Sequence, residues 1–276
     1  MQQHVRRGAL FAAIAVGTLA APLAAQETDD EWLERCRAGD SDSWDGRPNE
    51  RFCEVRIERL RPRGRLAIDG ARNGGVAVRG GDGDGVVVHA RISAQGGTVA
   101  DAQALARQLR IVTAGDSVHA TGPERVRGRN WYVSYVVEVP RRQDLTVSAH
   151  NGGIDVRDVA GRMELDTHNG GMSLTDLGGD VHARTRNGGL RVLLAGRRWE
   201  GRGLDAQTHN GGVRIEIPDG YAAHLETETV NGGFQTAIPI TVQGRIGRQL
   251  STDLNGGGPT IRATTRNGGV DIRRRR

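Results

Sequence analysis

The sequence predicts an all-β chain, a β-solenoid in which stacked strands meet at Asn-Gly-Gly corners and one short helix interrupts the stack. Three observations predict this fold. Eight of the ten asparagines lie in the tripeptide Asn-Gly-Gly. The residues after these tripeptides alternate between apolar and polar side chains, and so do the residues before them. A short unit that recurs in this way is typical of repeat architectures.

The corners are followed by predicted half-buried strands. Apolar residues recur three and five positions after most of the asparagines, as in Ile154 and Val156 or Leu190 and Val192. Polar residues separate them, and this period of two is that of a strand with one buried face. The eight asparagines are Asn73, Asn151, Asn169, Asn187, Asn210, Asn231, Asn255 and Asn267.

The strand before each corner predicts where the asparagine side chain points. Apolar residues lie six and four positions upstream, and Thr usually lies two positions upstream, as at Thr167 and Thr185. By parity the asparagine shares their inward direction, and a buried amide needs hydrogen-bond partners. We therefore expect an internal hydrogen-bonded ladder along the corner, with the two glycines supplying positive φ angles. Its members are Asn151, Asn169, Asn187, Asn210, Asn231 and Asn267.

An antiparallel meander is the alternative to a stack. Asn-Gly between alternating segments is also a strong hairpin signal. The similar inward row at every turn favours stacked units instead, because each unit must match the one below it. The unit at Asn255 departs from the pattern, since Gly258 and Pro259 follow it, and terminal units of repeat proteins are commonly atypical.

Residues 1–25 predict a secretory signal peptide. Arg6 and Arg7 precede an apolar stretch from Leu10 to Ala21, and cleavage is expected after Ala25. An uncleaved anchor is the alternative, and an association with a membrane is expected only in that case. The protein is therefore expected to be exported, to the periplasm or the cell surface.

Residues 26–54 are predicted to form an N-terminal arm held by a disulfide. Cys36 and Cys53 are the two cysteines, and a pair in an exported chain is typically oxidised. In the chain-entropy model, closing this loop contributes about 3 kcal/mol.

Residues 55–276 are predicted to be the β-solenoid domain. Strand patterns surround Val55–Ile57, Leu66–Ile68, Val86–Ile92 and Trp131–Val139, and Thr98–Leu109 is the one predicted helix. The arginines at 273–276 are expected to form a basic tail.

Composition disfavours a nucleic-acid partner. The formal net charge is only +5, and acidic residues are interleaved with the basic ones. A nucleic-acid surface needs a segregated basic face with stacking aromatics, and aromatics are only 4% of this chain.

No motif predicts a metal, a cofactor or a catalytic centre. His150, His168 and His209 precede corner asparagines and are interpreted as an outward surface row rather than a metal site. The segment 40–46 and the Asp82–Gly85 turn lack the spacing of a calcium loop. The outward acids are scattered among arginines and are interpreted as solvated charge pairs; examples are Asp155, Asp158, Asp166 and Glu216.

The chain resembles the bacterial putative-adhesin domain family over residues 55 to 272. The resemblance rests on the segment Trp131–Pro140, on Leu145-Thr-Val, and on Asn151-Gly-Gly-Ile-Asp-Val-Arg followed by further repeats. It implies a β-solenoid with periplasmic or surface placement, and no catalytic residues.

The predicted function is that of an exported, non-enzymatic envelope scaffold or adhesion-type interaction module. The expected partner is an envelope protein or a glycan. A carbohydrate-binding or carbohydrate-cleaving β-helix protein is the second hypothesis, and an envelope-stress sensor domain is the third.

Overall fold

The computed structural model describes residues 27–39, 50–61, 64–238 and 248–275. The predicted signal peptide at 1–25 and the calcium-like segment at 40–46 lie outside these described residues.

The described residues form two helices and twenty strands. The helices are α1 (Asp29–Ala38) and α2 (Val99–Arg107). The first ten strands are β1 (Glu50–Leu60), β2 (Leu66–Asp69), β3 (Val76–Gly81), β4 (Val86–Gly96), β5 (Arg110–Val112), β6 (Ser117–Thr121), β7 (Asn130–Pro140), β8 (Leu145–Ala149), β9 (Ile154–Arg157) and β10 (Ala160–Asn169). The others are β11 (Met172–Thr175), β12 (Gly178–Asn187), β13 (Leu190–Leu193), β14 (Gly203–Asn210), β15 (Val213–Ile217), β16 (Ala223–Asn231), β17 (Phe234–Thr236), β18 (Gln249–Leu254), β19 (Thr260–Asn267) and β20 (Val270–Arg274).

The strands lie in two ten-stranded sheets. The order in sheet 1 is β1-β4-β7-β3-β9-β11-β13-β15-β20-β17, and in sheet 2 it is β18-β16-β19-β14-β12-β10-β8-β2-β6-β5. Within the repeats, neighbouring strands are parallel and in register, so that Asn169 pairs with Asn187 and Met172 with Leu190. We call one strand of sheet 2, its Asn-Gly-Gly corner and the following strand of sheet 1 a rung.

The described residues are predominantly β, as predicted, and the hairpin alternative is wrong for these corners. The strands on the two sides of a corner, such as β10 and β11, belong to different sheets. A hairpin turn would instead pair them with each other. Inward residues of both sheets form one hydrophobic cluster that includes Leu165, Leu174, Ala183 and Val192.

The order of the rungs in space differs from their order in the chain. The final pair of strands, β19 and β20, lies between the rungs of Asn210 and Asn231. Strand β18 pairs antiparallel with the other side of β16. The chain therefore crosses from one side of β16 to the other before it enters β19. The C-terminal rung is thus internal to both sheets.

The prediction of one helix is half correct. Helix α2 lies within the predicted segment and begins after the N-cap Thr98, whose side chain accepts a hydrogen bond from the Asp101 amide. Helix α1 was not predicted, although Thr28 and Glu31 form a capping box at its start. The proposed boundary between residues 54 and 55 falls inside β1, which pairs along its whole length with β4.

The expected basic tail is part of the fold in its described residues. Arg273 and Arg274 belong to β20. Arg275 donates its backbone amide to Ile217 and forms an ion pair with Asp176.

Candidate functional site

The corner asparagines form a continuous chain of side-chain hydrogen bonds. The Nδ2 atom of Asn169 donates to Oδ1 of Asn151 at 2.8 Å, and that of Asn187 donates to Asn169 at 2.7 Å. The same bond recurs in one direction along the stack. The full order is Asn73, Asn151, Asn169, Asn187, Asn210, Asn267 and Asn231.

The expectation that this ladder is internal is wrong. All six predicted members are exposed. The inward-facing row of side chains ends at the threonine two positions before the asparagine. At the corner the chain bends and turns the asparagine side chain away from the core. The inner amides therefore bond to the asparagines on both sides while remaining exposed.

The buried polar row is formed by threonines instead. The Oγ1 atom of Thr185 donates to the carbonyl of Gly170 in the neighbouring corner at 2.8 Å, and the Thr185 side chain is buried. Four other threonines make the same contact with the first glycine of a neighbouring corner: Thr167, Thr208, Thr229 and Thr265. The recurring Thr was visible in the sequence, but its partner was not.

The first glycine of each corner is needed for space. A Cβ atom on Gly188 would lie 2.1 Å from the carbonyl oxygen of Gly170 in the next rung. The second glycine is less constrained, since a Cβ on Gly189 would lie 3.5 Å from Gly212 O. The expectation that positive φ angles explain the glycines is wrong for Gly188 and Gly189, which have none.

Asn255 is not a corner of this kind. It has a φ of 45°, and Gly256 and Gly257 after it also have positive φ angles. Its Nδ2 donates to the Tyr221 carbonyl at 2.9 Å. The tripeptide at Asn255 lies in the crossing between β18 and β19.

The candidate functional surface is the outer face of sheet 2 beside the corners. Cavities of about 660 and 470 Å³ lie on this face and share Asp166 and Arg184. We call the larger one the corner groove. Its outward side chains come from five adjacent strands: Asp166 and His168 on β10, Arg184 and Arg186 on β12, Gln207 and His209 on β14, Thr264 and Arg266 on β19, and Glu228 and Val230 on β16.

The charges of the corner groove are arranged by strand. The two carboxylates, Asp166 and Glu228, lie on the outermost of the five strands. The three central strands contribute Arg, His, Gln and Thr only. Within the described part of the chain, Arg184, Arg186 and Arg266 form no ion pair or hydrogen bond through their side chains.

Several arginines on other parts of the two sheets are paired. On sheet 1, Arg191 contacts Glu216 at 2.8 Å and Arg214 contacts Asp271 at 3.2 Å. On sheet 2, farther from the corner, Arg262 forms an ion pair with Glu226 at 2.6 Å. The corner groove thus brings three unpaired guanidinium groups together on one cavity.

Two predicted histidines stack at one end of this face. The rings of His150 and His168 are 4.8 Å apart between centroids and nearly parallel, at 19°. His209 is separated from them by Arg186 on the intervening strand. Among the described residues, no group of three or more His, Cys, Asp or Glu side chains has an arrangement that could hold a metal ion.

Helix α1 is fixed to the outer face of sheet 1 by charges and a disulfide. Cys36 and Cys53 are bonded, with their Cα atoms 6.3 Å apart. The largely buried Arg91 donates from Nε to Asp29 at 2.9 Å and contacts Glu27. Desolvation opposes ionisation of Asp29, but hydrogen bonds and charges from His89 and Arg91 outweigh it and lower its pKa. The described part of the predicted arm is therefore a docked helix together with the first residues of β1.

Comparisons with known proteins find likeness only among solved structures. No known family profile matches the chain, and no curated protein matches it. A putative cell adhesion protein from Clostridium sporogenes is 9% identical with a TM-score of 0.40, covering 81% of this chain and 100% of its own. A putative adhesin from Bacteroides fragilis is 12% identical with a TM-score of 0.37, covering 80% and 97%. A putative lipid binding protein from Parabacteroides distasonis is 9% identical with a TM-score of 0.31, covering 80% and 97%. At these values we transfer no function from them.

No helix in the described part of the chain combines the length and apolar character needed to cross a membrane.

Proposed function

We propose that this protein is an exported β-solenoid that acts as an adhesion-type interaction module of the cell envelope. The corner groove is its binding surface. The observation that supports this role most directly is the convergence of side chains from five adjacent strands on one groove with unpaired cations at its centre. Several arginines elsewhere on the two sheets are held in ion pairs, whereas the three in the groove leave their guanidinium groups available for a ligand.

Binding fits the groove better than glycan cleavage does. Glycoside hydrolysis commonly uses two carboxylates about 5 to 9.5 Å apart. Asp166 and Glu228 are separated by four strand spacings, which amounts to about 19 Å at the usual distance between strands. The groove therefore favours the carbohydrate-binding form of the second hypothesis over the cleaving form.

A binding experiment with a blocked groove tests this function. The mature chain would be immobilised and exposed to envelope fractions of the organism that encodes it. We expect retained envelope material with the natural sequence and its loss with Gln207→Trp, because the indole would fill the middle of the groove.

Ser173→Trp is the matched control, since it places the same bulk on the outer face of sheet 1. If both Trp variants retain as much envelope material as the natural chain, the groove is not the binding surface and the proposal is wrong. Loss in both variants would likewise contradict it, provided that circular dichroism shows both to be folded.

A further inference from the structure

We propose that the ligand of the corner groove is an acidic polysaccharide, bound through its carboxylate or sulfate groups by Arg184, Arg186 and Arg266. This inference rests on the proposed function and specifies its ligand. The cluster is complementary to anions because three guanidinium groups face one cavity and none has a described carboxylate partner.

The spacing of the three arginines suits an extended chain with several anionic groups. Arg184 and Arg186 lie two residues apart on β12, which places their Cα atoms about 7 Å apart along the strand. Arg266 lies two strands away on β19, about 10 Å across the sheet. Cα separations of this size match several anionic groups spaced along one extended chain. Guanidinium groups also bind carboxylate and sulfate oxygens through two parallel hydrogen bonds.

The neutral side chains between the arginines fit a sugar. Gln207 and Thr264 line the groove and offer an amide and a hydroxyl group for hydrogen bonds with sugar hydroxyls. The groove holds no Phe, Tyr or Trp among its lining residues. Single-stranded nucleic acids are typically held by aromatic platforms beneath their bases, so the chemistry favours a polysaccharide over a nucleic acid.

The flanking carboxylates limit the length of the anionic segment. Asp166 and Glu228 lie at the two ends of the cationic centre and would repel anionic groups placed beside them. The site therefore selects a segment that spans the three central strands.

Binding to defined polymers tests the inference. The probes are polygalacturonate, dextran sulfate, neutral dextran and single-stranded DNA, measured by calorimetry with the mature chain. We expect binding to at least one acidic polysaccharide and none to dextran. The triple variant R184Q/R186Q/R266Q should lose at least about tenfold in affinity, because each charge-assisted contact contributes a factor of that order. The variant R184K/R186K/R266K keeps the charge and should lose less.

The control R191Q/R214Q/R273Q removes the same net charge from the outer face of sheet 1. Equal losses in the two Gln triples would show attraction to overall charge and would overturn the inference. Binding of DNA more tightly than of either acidic polysaccharide would also overturn it. If neither acidic polysaccharide binds while Gln207→Trp still abolishes capture of envelope material, the ligand assignment fails and the proposed function stands.

Discussion

At the scale of single residues, each position of the corner motif has its own physical role. The threonine forms a buried hydrogen bond with the next rung, the asparagine forms an exposed one, and the first glycine allows two rungs to approach. The second glycine has ordinary contact distances around it in the corner of Gly188 and Gly189. Substitutions within one tripeptide are therefore expected to have unequal effects on stability.

Gly188→Ala should destabilise the protein far more than Gly189→Ala. The added methyl group at position 188 would lie 2.1 Å from a backbone oxygen, and that oxygen cannot rotate away. We expect a loss of about 3 kcal/mol or more, at the upper end of overpacking effects, and less than about 1 kcal/mol at position 189. Urea unfolding of both variants measures the difference. Equally small losses of stability in the two variants would show that neighbouring rungs can move apart at little cost.

Thr185→Val should destabilise the protein more than Asn187→Ala. Valine keeps the shape of the threonine but leaves the Gly170 carbonyl without its hydroxyl partner, at a cost of about 1–2 kcal/mol. Water can replace the amide partners that Asn187 loses, because this side chain is exposed, and we expect a loss of about 1 kcal/mol or less.

Thr185→Ser is the control for the buried hydrogen bond, since it keeps the hydroxyl group. It should lose only the small contribution of one methyl group. A larger effect at Asn187 than at Thr185 would mean that the amide chain is cooperative enough to outweigh its exposure.

At the scale of elements, the sequence predicted those whose signals are local. Strand β7 and helix α2 were found because their patterns lie within about a dozen residues. Pro259 also indicated that the Asn255 unit is atypical, which agrees with its place in a crossing. The insertion of β19 beside β14 was not predicted, because nothing in the order of similar units specifies which of them are neighbours. The arginine cluster depends on that insertion, since Arg266 reaches the groove only through β19.

The inserted position of β19 should be visible in amide hydrogen exchange. Its amides lie between β14 and β16, although its residues are close to the C-terminus of the chain. We expect exchange as slow as that of β12, because exchange there requires opening of both neighbouring rungs. Strand β17, at the edge of sheet 1, is the internal comparison and should exchange faster. Rapid exchange throughout β19 would contradict the inserted arrangement.

The docking of α1 should weaken in acid. The pKa of Asp29 is lowered from its ordinary value of 3.8, so its ion pairs stabilise the folded state above that pH. This contribution is lost as the pH falls through the lowered pKa that Asp29 has in the folded state, because the unfolded state binds the proton more readily. At about pH 6 we expect Asp29→Asn to be less stable than the natural chain by about 1 kcal/mol.

The difference in free energy of unfolding between the natural chain and Asp29→Asn should shrink as the pH falls below 3.8. Arg37→Gln, on the same helix, is the control. It should show no such convergence, because Arg37 forms no ion pair with a described residue. A difference at Asp29 that stays constant down to about pH 2 would contradict the role of its carboxylate.

At the scale of the whole molecule, stability resides between rungs rather than within them. The two strands of a rung lie in different sheets and make no ladder hydrogen bonds with each other. An isolated rung would therefore order many residues without pairing their backbone groups, which costs about 1–2 kcal/mol per residue in backbone entropy. Strand pairing in both sheets, the Thr–Gly bond and the Asn–Asn bond all join one rung to the next.

Unfolding should consequently be cooperative along the stack. In repeat proteins the cooperativity grows as the interfaces contribute more and the single repeats less. Trp131, on β7 among the antiparallel strands β1, β4 and β7, and Trp199, in the repeats, are both buried. Each donates a hydrogen bond from its indole, Trp131 to Pro123 O and Trp199 to Gly179 O, and each can report on its own part of the molecule by fluorescence. Two variants each keep one of these tryptophans and carry Phe at the other Trp positions. Within each variant, the urea transition followed by fluorescence should coincide with the transition followed by circular dichroism. The single hydrophobic cluster shared by both parts is the reason, because loss of either part exposes inward residues of the other. Different fluorescence and circular dichroism midpoints within one variant would instead show that rungs unfold independently and that the interfaces are weaker than their repeated contacts imply.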